Sequence, residues 1–197
     1  ITKSFNESLK NLKFKKELLD IISYIRKVNK RDYSNYYKES DLMLYKTYTR
    51  KDVCRLLNWP VNMNPQNIGG YFYDEISNTM AVYVTYNKDL STTSASLMYE
   101  DRFIDKKHIV CMSKNNRSLS SPEALRFINY DGAMKVHLFI NKIKGDSFYY
   151  LGEVRCVNME ETKTVDNKKI LEFHYELDTP VKDSIYDYLT TKIVDTE

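Results

Sequence analysis

A donor-rich stretch, CMSKNNRSLSS, occupies residues 111–121. It holds four serines, two asparagines, one lysine and one arginine, with no glycine and no acid. Lysine and arginine can neutralise phosphates, and hydroxyl and amide groups can donate hydrogen bonds to phosphate oxygens or base edges. A stretch without acids favours contact with a polyanion, for which the predicted residues are Ser113, Lys114, Asn115, Asn116, Arg117 and Ser118.

The same stretch also has a purely structural interpretation. Asparagine and serine are common turn residues, and Ser120 or Ser121 is well placed to cap a helix that begins at Pro122. The free amides at that helix N-terminus would point at the same place as the charged side chains. The two interpretations are compatible, and both stay open at this point.

A second loop of the same kind follows the apolar run TMAVYVTY at 79–86. It begins with Asn87 and Lys88 and continues into an STTS run at 91–94. Aromatic side chains beside such loops can stack on a nucleobase. The predicted pocket residues are Tyr71, Tyr83, Thr85, Tyr86 and Tyr99, although packing in a core explains each of them equally well.

The elements that position these residues begin with basic helices. Residues 1–60 hold 14 Lys or Arg against 7 Asp or Glu, whereas residues 61–197 hold 16 against 20. Apolar residues at helical spacing predict one helix over 5–29, with Ser4 and Glu7 as a capping box, and a second helix near 36–45. The excess of basic residues in 1–60 favours a polyanionic or acidic partner, and a solvated helix face is the alternative interpretation.

A third helix is predicted behind the capping signal Thr49-Arg-Lys-Asp52, and it ends near Trp59. Its apolar residues face inward, so its basic residues are left for the outer face. A short basic helix after other helices is typical of a helix-turn-helix. Further candidate DNA contacts are therefore Arg50, Lys51 and Arg55.

From residue 61 onward the sequence changes to strands and turns. The alternation in KILEFHYEL at 169–177 is typical of a half-exposed antiparallel strand. IKGD at 143–146 predicts a hairpin turn between two strands. The other predicted elements are strands at 79–86, 108–112, 135–141 and 147–155, and short helices at 122–129 and 184–190.

These elements predict an α+β fold. N-terminal helices in a lead segment, residues 1–60, precede a mostly antiparallel sheet or small β-barrel over residues 61–197. Because the chain starts with Ile1, we expect a piece cut from a longer protein.

No catalytic constellation is visible. Walker A, GxSxG, HExxH and EF-hand motifs are absent. Glu100 and Asp101 are adjacent, and adjacent carboxylates on an extended chain point apart. The three cysteines lack zinc-ligand spacing, and no apolar run is long enough to span a membrane. The sequence therefore favours a cytoplasmic binding module with buried, reduced thiols and without a metal or cofactor of its own.

Five blocks, in order, carry a family resemblance: TRKDVCRLLNW, IGGYF, VYVTYNKDLSTTSASLMYEDRF, SKNNRSLSSPEALRFI and VHLFINKIKGDSFYYLGEV. They resemble the C-terminal domain of unknown function that follows a phospholipase-D-type nuclease and a superfamily-two helicase in bacterial proteins. The match covers roughly residues 45–190. Family members often carry a Trp-x-Ser strand where this chain has Cys111-Met-Ser113, which leaves the role of that aromatic open here.

The Lys-, Asn- and Tyr-rich composition is most similar to that of type IV, modification-dependent, ATP-driven restriction enzymes. The resemblance implies a target-recognition domain for 5-methylcytosine or 5-hydroxymethylcytosine in double-stranded DNA, read in the major groove or by base flipping. It implies helicase and nuclease domains of the same chain as partners. It also implies ATP and a divalent metal as cofactors of the parent enzyme, with none in this domain.

Small barrels of the SRA or PUA-like type hold such base pockets, so the resemblance adds an SRA/PUA-like expectation to the fold class by analogy. The alternative function is a structural coupling domain that docks on the helicase and holds DNA nonspecifically.

Overall fold

The structure, a computed structural model, describes residues 2–28, 40–60, 68–86, 101–164 and 167–191. The chain divides into two compact units, Ile1–Asn35 and Tyr36–Glu197. None of the described helices is both long and apolar enough to cross a membrane.

The first unit contains two helices, α1 (Lys3–Ser8) and α2 (Leu12–Val28). The sequence predicted a single helix over 5–29, but Asn11 interrupts it. The side-chain oxygen of Asn11 accepts hydrogen bonds from two backbone N–H groups in the first turn of α2, so Asn11 starts a new helix. The residue that caps α1 is Thr2, not Ser4 as predicted, because the Thr2 hydroxyl accepts from the backbone N–H of Phe5.

The second unit is built, within the described residues, from strands β1 (Thr47–Tyr48), β2 (Tyr71–Asp74), β3 (Thr79–Thr85), β4 (Arg102–Phe103), β5 (His108–Met112), β6 (Lys135–Asn141), β7 (Phe148–Lys163) and β8 (Lys169–Leu177), and helices α3 (Arg50–Leu56), α4 (Pro122–Ile128) and α5 (Asp183–Thr190). The strands predicted at 79–86, 108–112, 135–141 and 169–177 are confirmed, as are the three short helices. The hairpin turn at 143–146 is confirmed as well, with Gly145 at φ 102°.

Two sequence predictions differ from the structure in this unit. β7 runs well past the predicted end at residue 155, because its second half pairs with β8 along the whole of that strand. The helix predicted near 36–45 is not formed over residues 40–45, and its first four residues lie outside the described part of the chain. Tyr45 instead donates its backbone N–H to the Tyr150 carbonyl and leads into the short edge strand β1.

The hydrogen-bonded order of the sheet is β2-β3-β6-β7-β8-β5-β4, with β1 on β7. Every pair is antiparallel except β3 with β6. The sheet is open, since no described hydrogen bonds join β2 to β4. The mostly antiparallel sheet predicted from the sequence is therefore confirmed, and the barrel alternative is not.

The sheet curls so strongly that distant strands share a core. Met80 and Val82 of β3 belong to the same buried cluster as Ile109 of β5 and Phe173 of β8. In the hydrogen-bonded order, two strands lie between β3 and β8, and three lie between β3 and β5. The bend lies in β7, which pairs with β6 through its first half and with β8 through its second. Gly152, at φ 104° and opposite a register shift in β6, supplies a conformation that favours glycine.

A second apolar cluster covers the opposite face of the sheet. Val53, Leu57 and Trp59, from α3 and the residues behind it, pack with Phe139 and Tyr150. The capping box predicted at the start of α3 is confirmed, with the Thr49 and Asp52 side chains each bonded to the other's backbone N–H. Residues 40–60 thus pack with the sheet, which explains why the two compact units separate near residue 35 instead of residue 60.

Buried His137 makes the stability of this sheet dependent on pH. Its side chain is fully buried on β6, its Nδ1 lies 3.0 Å from the Tyr150 hydroxyl, and burial lowers its pKa to about 3. The unfolded chain, with a histidine pKa of about 6.5, therefore binds one more proton than the folded protein below that pH. We expect the free energy of unfolding to fall by about 1.4 kcal/mol per pH unit between about pH 6.5 and 5.

Urea unfolding at a series of pH values measures this slope. His137→Gln should flatten the slope, and His174→Gln, which retains His137, should not. A wild-type protein whose stability is constant from pH 7 to 5 would contradict the assignment.

Candidate functional site

A cavity of about 380 Å³ opens between β2 and β3 on one side and β5 and β8 on the other. It lies where β2 begins, at Tyr71, and where β5 ends, at Met112. The curl of the sheet creates it, because the same curl sets Tyr71 against Phe173 of β8 at 6.1 Å between ring centroids. The cavity has the size and mixed polar and apolar walls of a small-ligand site.

Several predicted residues from separate parts of the sequence meet at this cavity. They come from α3, from the strands β2 and β3, and from the donor-rich stretch behind β5: Arg50, Tyr71, Tyr83, Thr85, Ser113, Lys114 and Asn115. The donor-rich stretch reaches the cavity because Ser113 continues the ladder between β5 and β8, donating its N–H to the Leu171 carbonyl at 2.8 Å. Their convergence is a finding of the structure; their contact with DNA stays a prediction.

Other predicted residues lie away from the cavity. Lys51 and Arg55 are exposed on α3, and Tyr86 packs on Phe103 at 5.4 Å between ring centroids. The remaining predicted loop residues, Asn116, Arg117 and Ser118, follow the cavity-lining part of the donor-rich stretch. The predictions that fall outside the described residues are Asn87, Lys88 and Tyr99.

The serines of the donor-rich stretch already have partners within the protein. The Ser113 hydroxyl accepts from the Leu171 N–H and lies 2.8 Å from the Lys114 carbonyl, to which it donates. The backbone N–H of Ser118 donates to the Ser121 hydroxyl, and the Ser118 hydroxyl bonds that of Ser120. These bonds shape the turn before α4, as the structural interpretation predicts. Ser121 stands at the N-cap position, but its hydroxyl makes no capping bond to the helix.

Arg117 is also engaged inside the protein. Its Nε lies 2.7 Å from Oε1 of Glu123, a buried residue in the first turn of α4. The hydroxyl of Tyr71 donates to the same carboxylate oxygen. Burial by itself would raise the pKa of Glu123, but the Tyr71 hydrogen bond and the Arg117 charge hold it below its usual range. Arg117 thus serves first to balance Glu123, and Glu123 fixes the Tyr71 ring.

Lys114 is placed differently from Arg117. Its ammonium lies 4.7 Å from the centroid of the Tyr71 ring, and none of the described acids forms an ion pair with it. Burial, and then the charge of Arg117, lower the pKa of Lys114. The cation is therefore held at the cavity mainly by the aromatic ring.

Tyr83 forms a wall of the cavity and is not a free stacking surface. Only 5% of the residue is exposed. Phe139 stacks on its ring at 5.3 Å, and the guanidinium of Arg50 lies over the ring at 5.1 Å from the centroid. Both faces are occupied, because Tyr83 points into the second apolar cluster under α3. Tyr83 lies in the cavity wall, and its contact with a base stays a prediction.

Several cavity residues were not predicted from the sequence. Asp101 is the one carboxylate among the described residues that line the cavity, and its Oδ1 accepts from the Met112 N–H at 2.8 Å. The inward-facing aromatics Phe173 and Tyr175 form part of the opposite wall. The alternation in β8 could have identified the two aromatics as inward-facing, but no local pattern marks Asp101.

The edge of β3 adds backbone groups to the cavity. β2 pairs with β3 only as far as Val82, and the Tyr83 N–H donates to the Gly70 carbonyl beyond it. Thr85 lies past this point on the same edge and lines the cavity. Beyond the Tyr83–Gly70 bond no described residue pairs with this edge, and a strand edge offers both donors and acceptors in a fixed geometry. Among the described residues, no cluster of histidine, cysteine or acidic side chains could hold a metal ion.

Comparison with known proteins places this geometry in a family and a fold. Residues 42–189 match the family described as Domain of unknown function (DUF3427). No curated protein was found to match the chain.

Solved structures resemble the chain at low sequence identity. The SRA domain of SUVH5 in complex with hemi-methylated CG DNA is 11% identical, with a TM-score of 0.50, covering 75% of this chain and 96% of that one. The SUVH5 SRA bound to fully hydroxymethylated CG DNA is 10% identical, with a TM-score of 0.48 and coverage of 75% and 97%. The DNA modification-dependent restriction endonuclease AspBHI is 12% identical, with a TM-score of 0.46 and coverage of 79% and 43%. The first of these likenesses shows that the chain has an SRA-like fold.

Removing the charge of Glu123 tests whether this carboxylate organises the cavity wall. Glu123→Gln leaves Arg117 without its partner, so we expect the free energy of unfolding at pH 7 to fall by about 1–3 kcal/mol. Because the folded-state pKa of Glu123 is lowered, its contribution is present above the usual carboxyl range and is lost as pH falls through the folded value. The difference between variant and wild type should therefore shrink on acidification below about pH 4.3.

Thermal or urea unfolding at pH 7 and pH 3 provides the measurement. Glu75→Gln, at an exposed position in the turn between β2 and β3, is the matched control and should be neutral. An equal loss of stability at both pH values would argue against the ionic role.

Proposed function

We propose a function for this chain from the premise that it belongs to the DUF3427 family: it is a DNA-binding target-recognition module that reads 5-methylcytosine or 5-hydroxymethylcytosine in double-stranded DNA. The observation that carries the proposal is the cavity, whose described lining includes one carboxylate, Asp101, together with a cation, Lys114, and an amide, Asn115. The module binds DNA, and we assign it no catalytic step of its own.

The interior of the cavity suits the pairing edge of a cytosine. A carboxylate accepts from the cytosine N4 amine, and Asp101 lies on the wall where such a bond can form. Backbone groups at the Thr85 edge of β3 can meet the remaining donors and acceptors of the base. Tyr71, which is only partly buried, provides aromatic surface for the ring and its 5-substituent, and the buried Phe173 packs against it from the opposite wall. This chemistry requires the base to leave the stack, because a base inside a duplex cannot reach a cavity lined on several sides.

Extrusion of a base costs about a few kcal/mol, which the cavity must offset. Stacking on an aromatic ring contributes roughly 1–3 kcal/mol per base. Phosphate contacts supply the rest without regard to sequence. Lys114 and Asn115 border the cavity, Arg50 lines it, and Lys51 and Arg55 extend the positive surface along α3. In this scheme the rim positions the duplex and the cavity selects the modified base.

The solved structures are consistent with this scheme. The SRA domain of SUVH5 is described in complex with hemi-methylated CG DNA, and it has the fold of this chain. We further propose that the module directs the helicase and nuclease domains of an ATP-dependent, metal-dependent parent enzyme in the cytoplasm, as in type IV restriction and phage defence.

A coupling role for the first unit is a second candidate. α2 carries lysines beside exposed apolar residues that need a covering surface, among them Leu12, Leu19 and Ile21. A helix of this kind is suited to docking on another domain, with nonspecific DNA contact through its lysines.

A competition experiment with matched duplexes tests the main proposal. The 197-residue chain should prefer a duplex carrying 5-methylcytosine over the unmodified duplex of the same sequence, at each point of a salt series. Equal affinities throughout the series would remove the claim of specificity. Loss of all binding on deletion of the first compact unit, residues 1–35, would favour the coupling role, whereas survival of the methyl preference would exclude it.

Asp101→Asn separates reading of the base from binding of the backbone. The amide keeps an acceptor for the Met112 N–H but lacks the negative charge that favours the cytosine N4 amine. We expect affinity for the methylated duplex to fall about tenfold, as for loss of one specific base contact. Affinity for the unmodified duplex should not change, since phosphate contacts carry it. A proportional loss on both duplexes, measured by fluorescence anisotropy, would contradict the assigned role.

A further inference from the structure

The Tyr71 ring is held rigidly on the cavity wall. Its hydroxyl donates to Glu123, which is in turn paired with Arg117, and its edge meets Phe173. A ring fixed at both its hydroxyl and its edge cannot turn away to accommodate a ligand. Any ligand that stacks on Tyr71 must therefore find a ring face that is already exposed, or displace what covers it.

Lys114 covers one face of this ring. Its ammonium lies 4.7 Å from the ring centroid, and its stem passes close to Gly69, where a Cβ would come within 3.7 Å of the Lys114 Cε. A cation at this distance occupies the volume that a stacked base needs. In the described structure, the Lys114 side chain and a base are thus competitors for the same face of Tyr71.

The contacts that keep the Lys114 ammonium on the Tyr71 ring are weak, so another partner can replace them. No described acid forms an ion pair with it, and its Nζ lies at 3.5 Å from the Tyr71 carbonyl, at the limit of a hydrogen bond. Burial and the nearby Arg117 charge also disfavour the ammonium at this place, as the lowered pKa of Lys114 indicates. A DNA phosphate at the rim offers a charge-assisted hydrogen bond in exchange for the aromatic contact.

We propose that Lys114 is a specificity-determining residue with two alternative partners: it covers the Tyr71 ring in the free protein and moves to a DNA phosphate when a modified cytosine stacks on that ring. The inference rests on the proposed function of the cavity. Its consequence is that the stacking surface becomes available only to a base that arrives attached to a phosphate backbone. Free nucleosides, which bring no phosphate, are disfavoured.

Because Lys114 has two alternative partners, its removal should change the affinity for two ligands in opposite directions. For 5-methyl-2′-deoxycytidine, which has no phosphate, Lys114→Met should raise affinity about two- to fivefold because the ring is no longer covered by a cation. For the methylated duplex, the same variant should bind more weakly, and the slope of log affinity against log salt should fall in magnitude by about 0.9. Lys114→Arg, which keeps the charge, should retain the duplex affinity and salt slope.

Equilibrium dialysis with the labelled nucleoside and anisotropy with the duplex give the two readouts on the 197-residue chain. Lys144→Met, in the exposed turn between β6 and β7, is the control and should change neither. A Lys114→Met protein that binds the nucleoside no better than wild type overturns the covering role. Unchanged duplex affinity and salt slope overturn the phosphate role.

These failures differ from failure of the proposed function itself. If the proposed function is wrong, the wild-type protein will not distinguish methylated from unmodified duplex, whatever the behaviour of the Lys114 variants. A wild-type methyl preference together with an unaltered response of Lys114→Met to the nucleoside would leave the cavity assignment standing and reject only the exchange of partners.

Discussion

The bend of β7 at Gly152 is the constraint on which the rest of the molecule depends. One strand pairs first with β6 and then with β8, so a single sheet turns back to face itself. Gly152 has a φ of 104°, a conformation that favours glycine, and a Cβ there would also press on the Leu44 side chain at 3.0 Å. Without the bend, β2 and β3 would not stand opposite β5 and β8, and there would be no cavity between them.

The charges around the cavity divide into those that build it and those that are available at its rim. Glu123 and Arg117 neutralise each other and fix the Tyr71 ring, so they shape the wall. Lys114 has no such ionic partner among the described acids and borders the opening. A cation, Lys114, and a carboxylate, Asp101, thus both line the cavity, which suits a ligand that carries an anionic group and an amine. A nucleotide with an extruded cytosine has this arrangement of charge.

Much of the fold could be predicted from the sequence, because its strands alternate and its helices carry caps. The alternation in β8 and the capping box at Thr49 are local features, and the folded protein retains both of them. The break at Asn11 was missed, since a single side chain competing for backbone N–H groups does not alter apolar periodicity. Only part of the site could be predicted from the sequence. Composition indicated the donor-rich stretch. The curl of the sheet, which no local pattern shows, brings Lys114 to Tyr71 and turns Tyr83 into the second apolar cluster.

The central claim is that a modified cytosine enters the cavity between the two halves of the curled sheet. Photocrosslinking tests it most directly, with a duplex in which 5-iodocytosine replaces 5-methylcytosine and mass spectrometry locates the attached residue. We expect attachment to the partly exposed aromatic side chain of the cavity, Tyr71. Attachment confined to α2 or to the outer face of α3, with duplex binding intact, would show that the base never enters and would contradict the account.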